Sequence, residues 1–190
     1  MEKIKVLIDC DTGIDDIVAL SYALKTDRLE VLGVTTVCGN LPVDITTYNT
    51  LNALELMGRP EIPLAKGAAT PLERLWDAAY IHGSNGLGGY EFAHKTEKQP
   101  EAQPAHEFIY SMLMAQPEPI TIIALAPLTN IALLLKEYPD ALTKIQRIVF
   151  MGGSLRTGNP TPVATFNVLA DPEAAKYVIA TKVPFVMCSL

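Results

Sequence analysis

The sequence predicts an α/β fold: a largely parallel, doubly wound (Rossmann-like) sheet with helices on both faces. Apolar, β-branched runs alternate along the chain with segments of helical period, the signature of strands joined by crossover helices. The first run, residues 4–10, is apolar almost throughout, as a strand covered on both faces must be. Composition agrees. Of 190 residues 49% are apolar and 19% charged, enough for one well-buried domain and unlike a disordered chain. No repeat or linker divides the chain, so residues 1–190 read as a single domain.

After strand 4–10, residues 15–25 place Ile17, Leu20, Ala23 and Leu24 at helical spacing. The Val- and Thr-rich run 29–38 is a second strand, ended by Gly39-Asn40, and Pro42 opens an amphipathic helix to about Met57. A short strand is expected near 62–65. Residues 81–92 (IHGSNGLGGYEF) are too glycine-rich for a helix and too long for an ordinary connection, which predicts a functional or mobile loop. A helix at 105–115, a strand at 120–125 and a helix at 128–136 follow. Then come a strand at 147–151, a loop at 152–167, a helix opened by Asp171-Pro172 and running to about Ala180, and a strand-like end at 184–190. In such a sheet the ligand lies beyond the carboxyl ends of the strands, which selects loops 9–16, 39–42, 81–90, 125–128 and 151–167.

Charge and cysteines narrow the partners. Fifteen Lys and Arg against 21 Asp and Glu leave a formal charge of −6 without a basic cluster, which disfavours nucleic acid and anionic membranes and leaves small neutral molecules and cations. Cys10, Cys38 and Cys188 form neither a disulfide framework nor a zinc pattern. With no signal peptide in the first residues and no apolar stretch of membrane-spanning length, a soluble cytoplasmic protein is expected.

Asp9, Asp11, Asp15 and Asp16 place four carboxylates within eight residues at the end of the first strand. A helix N-terminus favours an exposed anion by only about 0.3–1 kcal/mol. That is too little to hold several converging carboxylates, whereas a hard divalent cation with oxygen ligands would do so. The same acids could instead cap the following helix in solvent. Gly13 is expected to permit a tight turn there. Asn40, Asn159 and Asn167 fall in the selected loops, and amides that donate and accept suit hydroxyl-rich ligands. His82, in the glycine-rich loop, is a candidate general acid. Trp76, Tyr80 and Tyr90 could line a base-stacking pocket or serve as packing anchors, and His94 and His106 read as surface residues.

The segments DCDTGIDD after the first strand, TTVCGN at 35–40, HGSNGLG at 82–88, APLTNIALLL at 126–135 and FMGGS…GNPTPVATFN…DPEAA at 150–175 resemble the inosine–uridine-preferring nucleoside hydrolases, calcium-dependent N-ribohydrolases. The resemblance implies calcium ligation by Asp11, Asp16 and the backbone carbonyl of Leu125. It makes Asp11 the general base for a calcium-bound water and His82 a candidate acid for the leaving base. Asp15 would hold the ribose 2′-hydroxyl and Asn167 the 3′-hydroxyl. Asn40 would lie near the attacking water, and Met151 and Asn159 in the ribose pocket. Thr12 stands where the family usually has Pro, and Thr165 where it has a Glu that binds the 5′-hydroxyl. Family members are expected to continue past Leu190, with a further Asp ligand and a base-pocket His. A truncated, non-catalytic relative that binds calcium or ribose is one alternative, and a haloacid-dehalogenase-type phosphatase using Asp9 and Asp11 is another. The exposed last strand predicts a homodimer or homotetramer.

Overall fold

In the computed structural model, which describes residues 3–75 and 80–190, six strands form one all-parallel sheet. They are β1 (Ile4–Cys10), β2 (Leu29–Thr36), β3 (Leu64–Lys66), β4 (Ile120–Ala124), β5 (Ile145–Met151) and β6 (Phe185–Cys188), in the order β3-β2-β1-β4-β5-β6. Among the described residues the helices are α1 (Ile14–Lys25), α2 (Val43–Leu56), α3 (Ala105–Met114), α4 (Thr129–Glu137), α5 (Phe166–Ala170) and α6 (Pro172–Ala180).

The alternation of side chains along β1 divides the core into two layers. Val6, Ile8 and Cys10 pack with Leu20, Ala23 and Leu24 of α1 and with Leu51 and Leu54 of α2. Leu7 turns to the opposite face, where Phe108 and Ile109 of α3, Ile131 and Leu134 of α4 and Val178 of α6 cover Ile122, Ile148 and Phe150. Each side chain of this size, fully buried, contributes about 1.5–3 kcal/mol relative to exposure. The sheet is therefore doubly wound, as the sequence predicts. Winding reverses between β1 and β4, where the crossovers leave a crevice at the carboxyl ends of these strands.

The elements differ from the sequence reading in small ways. A 3₁₀ turn over Pro139–Lys144 precedes β5, and the short helix α5 begins within the stretch read as loop. β3 pairs at 64–66 rather than 62–65, because Val34 to Thr36 set its register. β6 occupies only 185–188 and leaves Val186 and Met187 exposed at the sheet edge. Among the described residues no helix is long and apolar enough to cross a membrane.

Asp171 joins three elements around α6. Its fully buried carboxylate caps the helix by accepting from Ala174 N at 2.9 Å. It also accepts from Leu72 N at 2.9 Å and from the Thr129 hydroxyl at 2.6 Å. Asp171→Ala removes the cap and leaves the other donors buried without their acceptor. It should destabilise the chain by about 2–4 kcal/mol in urea unfolding. A loss below about 1 kcal/mol would show that these donors find other partners.

Candidate functional site

β1 carries the acidic turn into the crevice. Asp9 lies in the last turns of the strand, Asp11 just past it, and Asp15 and Asp16 in the first turn of α1. Asp11 and Asp16 are 1% and 2% exposed, so they are not solvated caps, whereas Asp15 is largely open to solvent. Backbone N–H groups hold the two buried carboxylates: Asn40 N donates to Asp11 Oδ2 at 2.6 Å, and Gly13 N to Asp16 Oδ2 at 3.0 Å. Asp16 thus also closes the N-terminus of α1, as the capping reading expected. Asp9 Oδ1 accepts from the Thr35 hydroxyl at 2.5 Å and from Asn130 Nδ2 at 2.8 Å, while its Oδ2 is buried without a partner among the described residues.

Burial dominates the acidities. It pushes Asp9 up to about 6 against the opposing bonds from Thr35 and Asn130. It pushes Asp11 up to about 7, opposed by the Asn40 N–H and assisted by the charges of Asp15 and Asp9. Asp16 rises well above the carboxylate range through burial, then through the charges of Asp11 and Asp15. Among the described residues none of Asp9, Asp11 and Asp16 has a cationic partner.

Oxygen donors under mutual repulsion suit a hard cation in kind. No three His, Cys, Asp or Glu side chains among the described residues form a ready-made metal cluster. The resemblance implies a smaller donor set, the carboxylates of Asp11 and Asp16 with the carbonyl of Leu125. That carbonyl accepts from Asn167 Nδ2 at 2.6 Å, which leaves it a second lone pair.

Beside the acids opens a cleft of about 160 Å³. It is lined by Asp15, Asn40, Ile81, His82, Leu125, Met151, Asn159, Thr165, Phe166 and Asn167. Every residue expected to contact substrate therefore lies on one cavity, with His82 among them. Asn167 Nδ2 also donates to Met151 O at 2.9 Å, and Asn159 Oδ1 accepts from Phe166 N at 2.8 Å. The Thr165 hydroxyl accepts from Gly153 N at 2.8 Å, which fixes the 152–167 loop against the start of α5. His82 Nε2 lies 3.1 Å from Asp15 Oδ1 and so joins the glycine-rich segment to α1.

Several expectations change. Gly13 makes no special turn: its φ of −102° is open to any residue, but a Cβ there would meet the His82 ring at 2.5 Å. Glycine serves at this position by leaving room for the imidazole. Tyr80 and Tyr90 are not among the residues lining the cleft. Tyr90 packs edge-on against Phe92 at 5.4 Å, beside other cavities, and Trp76 lies outside the described residues. His106 is half-buried and pairs with Glu137 at 3.1 Å, so it is not a plain surface residue.

Asn130 was missed. It donates to Asp9 and to the Thr36 carbonyl at 2.9 Å and accepts from Ala68 N at 3.0 Å, tying α4 to the ends of β1 and β2. Its only signal in the sequence is an amide at the start of a helix.

Sheet order and cleft position define a doubly wound α/β domain with a cleft at its switch point. The chain belongs to the inosine-uridine preferring nucleoside hydrolase family, whose model matches residues 6–190. It is 48% identical over 189 residues to the non-specific ribonucleoside hydrolase RihC of Salmonella paratyphi A, covering 99% of this chain and 62% of the relative. Among solved structures it superposes with a TM-score of 0.92 on the plant nucleoside hydrolase PpNRh1, at 33% identity over 100% of this chain and 60% of that one. The purine-preferring ribonucleoside hydrolase from Gardnerella vaginalis matches with the same score, at 32% identity over 96% of this chain and 60% of that one. The chain thus spans less than two thirds of these relatives' lengths. The family match leaves the phosphatase reading without support.

The raised pKa of Asp11 fixes the sign of a pH effect. Its folded value, about 7, lies above the ordinary 3.8, so the folded state binds more protons between these values and stability falls as pH rises through them. In chelator, the wild-type melting temperature should drop between pH 6 and 8, and Asp11→Asn should drop less. Excess calcium should oppose the wild-type drop by binding the ionised form. Parallel wild-type and mutant curves in chelator would show that the Asp11 proton is not held.

Proposed function

We propose that this chain hydrolyses the N-glycosidic bond of ribonucleosides to ribose and free base, with calcium as cofactor. The observation that carries the reading is the single cleft in which Asp15, Asn40, Asn159, Asn167 and His82 meet beside the buried Asp11 and Asp16. Relatives described as ribonucleoside hydrolases support it.

Asp11, Asp16 and the Leu125 carbonyl would hold the cation. When bound, calcium makes water in its coordination sphere more acidic and orders the ribose diol. Asp11 takes the proton from the attacking water, a role open to a carboxylate that the cation keeps ionised. Asp15 accepts a hydrogen bond from the 2′-hydroxyl, and Asn167 contacts the 3′-hydroxyl. Thr165 faces the 5′ position, where its hydroxyl can donate while it accepts from Gly153. The carboxylates stabilise the oxocarbenium-like ribosyl cation as the base leaves, and His82 supplies the proton to that base. Because His82 pairs with Asp15, the imidazole and the ribose hydroxyl share one carboxylate.

The chain is further proposed to assemble as a homodimer or homotetramer, and the three free thiols support a cytoplasmic location. Ribose release from inosine and from uridine in the presence of calcium, with Asp11→Asn as the blank, tests the activity. Release is expected in the wild type and should fall at least about 100-fold in the mutant, the scale of a lost general base. Release no greater than the mutant's would leave the non-catalytic reading, in which the cleft binds calcium or ribose without turnover. Sedimentation should show a dimer or larger species, and a monodisperse monomer would overturn the assembly proposal.

A further inference from the structure

One face of α2 is polar and buried, an arrangement that helix propensity does not favour and that partners must explain. Thr47 meets the Thr36 hydroxyl at 2.7 Å, and Thr46 donates to the Val37 carbonyl at 3.1 Å. The hydroxyls of Thr50 and Thr12 lie 2.6 Å apart, and Asn52 Oδ1 accepts from Thr96 N at 2.9 Å. Between them, Asn49 is 2% exposed and uses one amide nitrogen twice. Its Nδ2 donates to Thr12 O at 3.2 Å, in the turn that carries Asp11 and Asp16, and to Asn85 O at 2.9 Å, in the segment that carries His82.

We propose that Asn49 is a positioning residue: its amide fixes the glycine-rich segment 81–92 against the acidic turn. Only the activity arm of the test rests on the hydrolase reading. Elsewhere the segment is held mainly by apolar contact: Leu87 and Phe92 are buried, and Phe92 packs edge-on against Tyr48 of α2 at 6.3 Å. A cavity of about 350 Å³ separates part of it from α2, and another of about 210 Å³ opens between it and α1. His82 is tied to Asp15, an exposed carboxylate for which the proposed substrate competes. The Asn49 bonds end on backbone carbonyls that no ligand group replaces, in a buried setting where an unmade bond is costly. Packing reinforces the tie. Gly86 has a φ of +76°, and a Cβ there would meet Leu41 Cδ1 at 2.2 Å and Asn49 Nδ2 at 3.1 Å.

The test is amide hydrogen exchange on the full chain carrying Asn49→Asp, which matches the amide in shape but lacks its paired donors. Exchange at Gly86 and Gly88, whose N–H groups bond within the segment, should accelerate about tenfold, the equilibrium effect of one buried hydrogen bond. Amides of β4 should keep the wild-type rate. Asn49→Ser, which removes the amide and adds no charge, should reproduce the pattern and decides the matter if Asn49→Asp does not fold. With inosine as substrate, Asn49→Asp should lower kcat about tenfold with a smaller change in KM, because ribose contacts remain while His82 is displaced.

Unchanged exchange in the segment would overturn the proposal. So would equal acceleration in β4, which would mark Asn49 as a general stability residue, or a loosened segment with undiminished kcat. A wild type without turnover would sink the hydrolase reading alone, and exchange would still decide whether Asn49 ties the segment.

Discussion

The burial of three neighbouring carboxyl groups at the end of β1 is the constraint around which this structure is built. Asp9, Asp11 and Asp16 lie within eight residues of one another in sequence, all are buried, and none has a cationic partner among the described residues. The fold meets the cost with oriented donors: the N–H groups of Asn40 and Gly13, the Thr35 hydroxyl and the Asn130 amide. Those donors come from the loop after β2, the start of α1, β2 itself and α4, so the strand order that places β2 and β4 on either side of β1 is what delivers them. Donors of this kind temper the cost of burial without cancelling it, and the carboxyls keep pKa values well above their ordinary range.

The cleft beside them has a different character. Its amides are already committed to the backbone of neighbouring loops, as Asn167 is to Leu125 and Met151 and Asn159 is to Phe166. Such bonds fix the orientation of each amide before any ligand arrives, which reduces the ordering cost of recognising a hydroxyl-rich molecule. One side of the site is thus acidic and dry, the other rich in pre-arranged amides, with Asp15 and His82 on its wall. In the proposed hydrolase that division would separate the activation of a nucleophile from the holding of a sugar.

Much of this was legible in the sequence, for physical reasons that differ from residue to residue. The strands of a parallel sheet are covered on both faces, so runs such as residues 4–10 stand out without any alternation to interpret. α5 escaped notice because five residues after a Pro-rich stretch carry no measurable period. The acidic cluster drew attention by density alone, and the asparagines by their place after strands. Asn49 and Asn130 could not be singled out in the same way. Each is an ordinary helical amide until chain segments 36 or 37 and 94 or 121 residues distant supply its carbonyl and carboxylate partners. Gly13 was noticed for the wrong property, since a sequence shows that a side chain is missing but not what occupies its place.

The long reach of the Asn130 contact has a meaning during synthesis. Asp9 leaves the ribosome 121 residues before the amide that will bind it. At roughly 5–20 residues per second this is an interval of about 6–24 s. Until the elements that cover β1 have been made, the aspartates after Val6–Ile8 are hydrated and ionised. A nascent strand that ends in negative charge is a poor template for pairing with a neighbouring chain. The acids that burden the finished core therefore guard its central strand while the polypeptide is still incomplete.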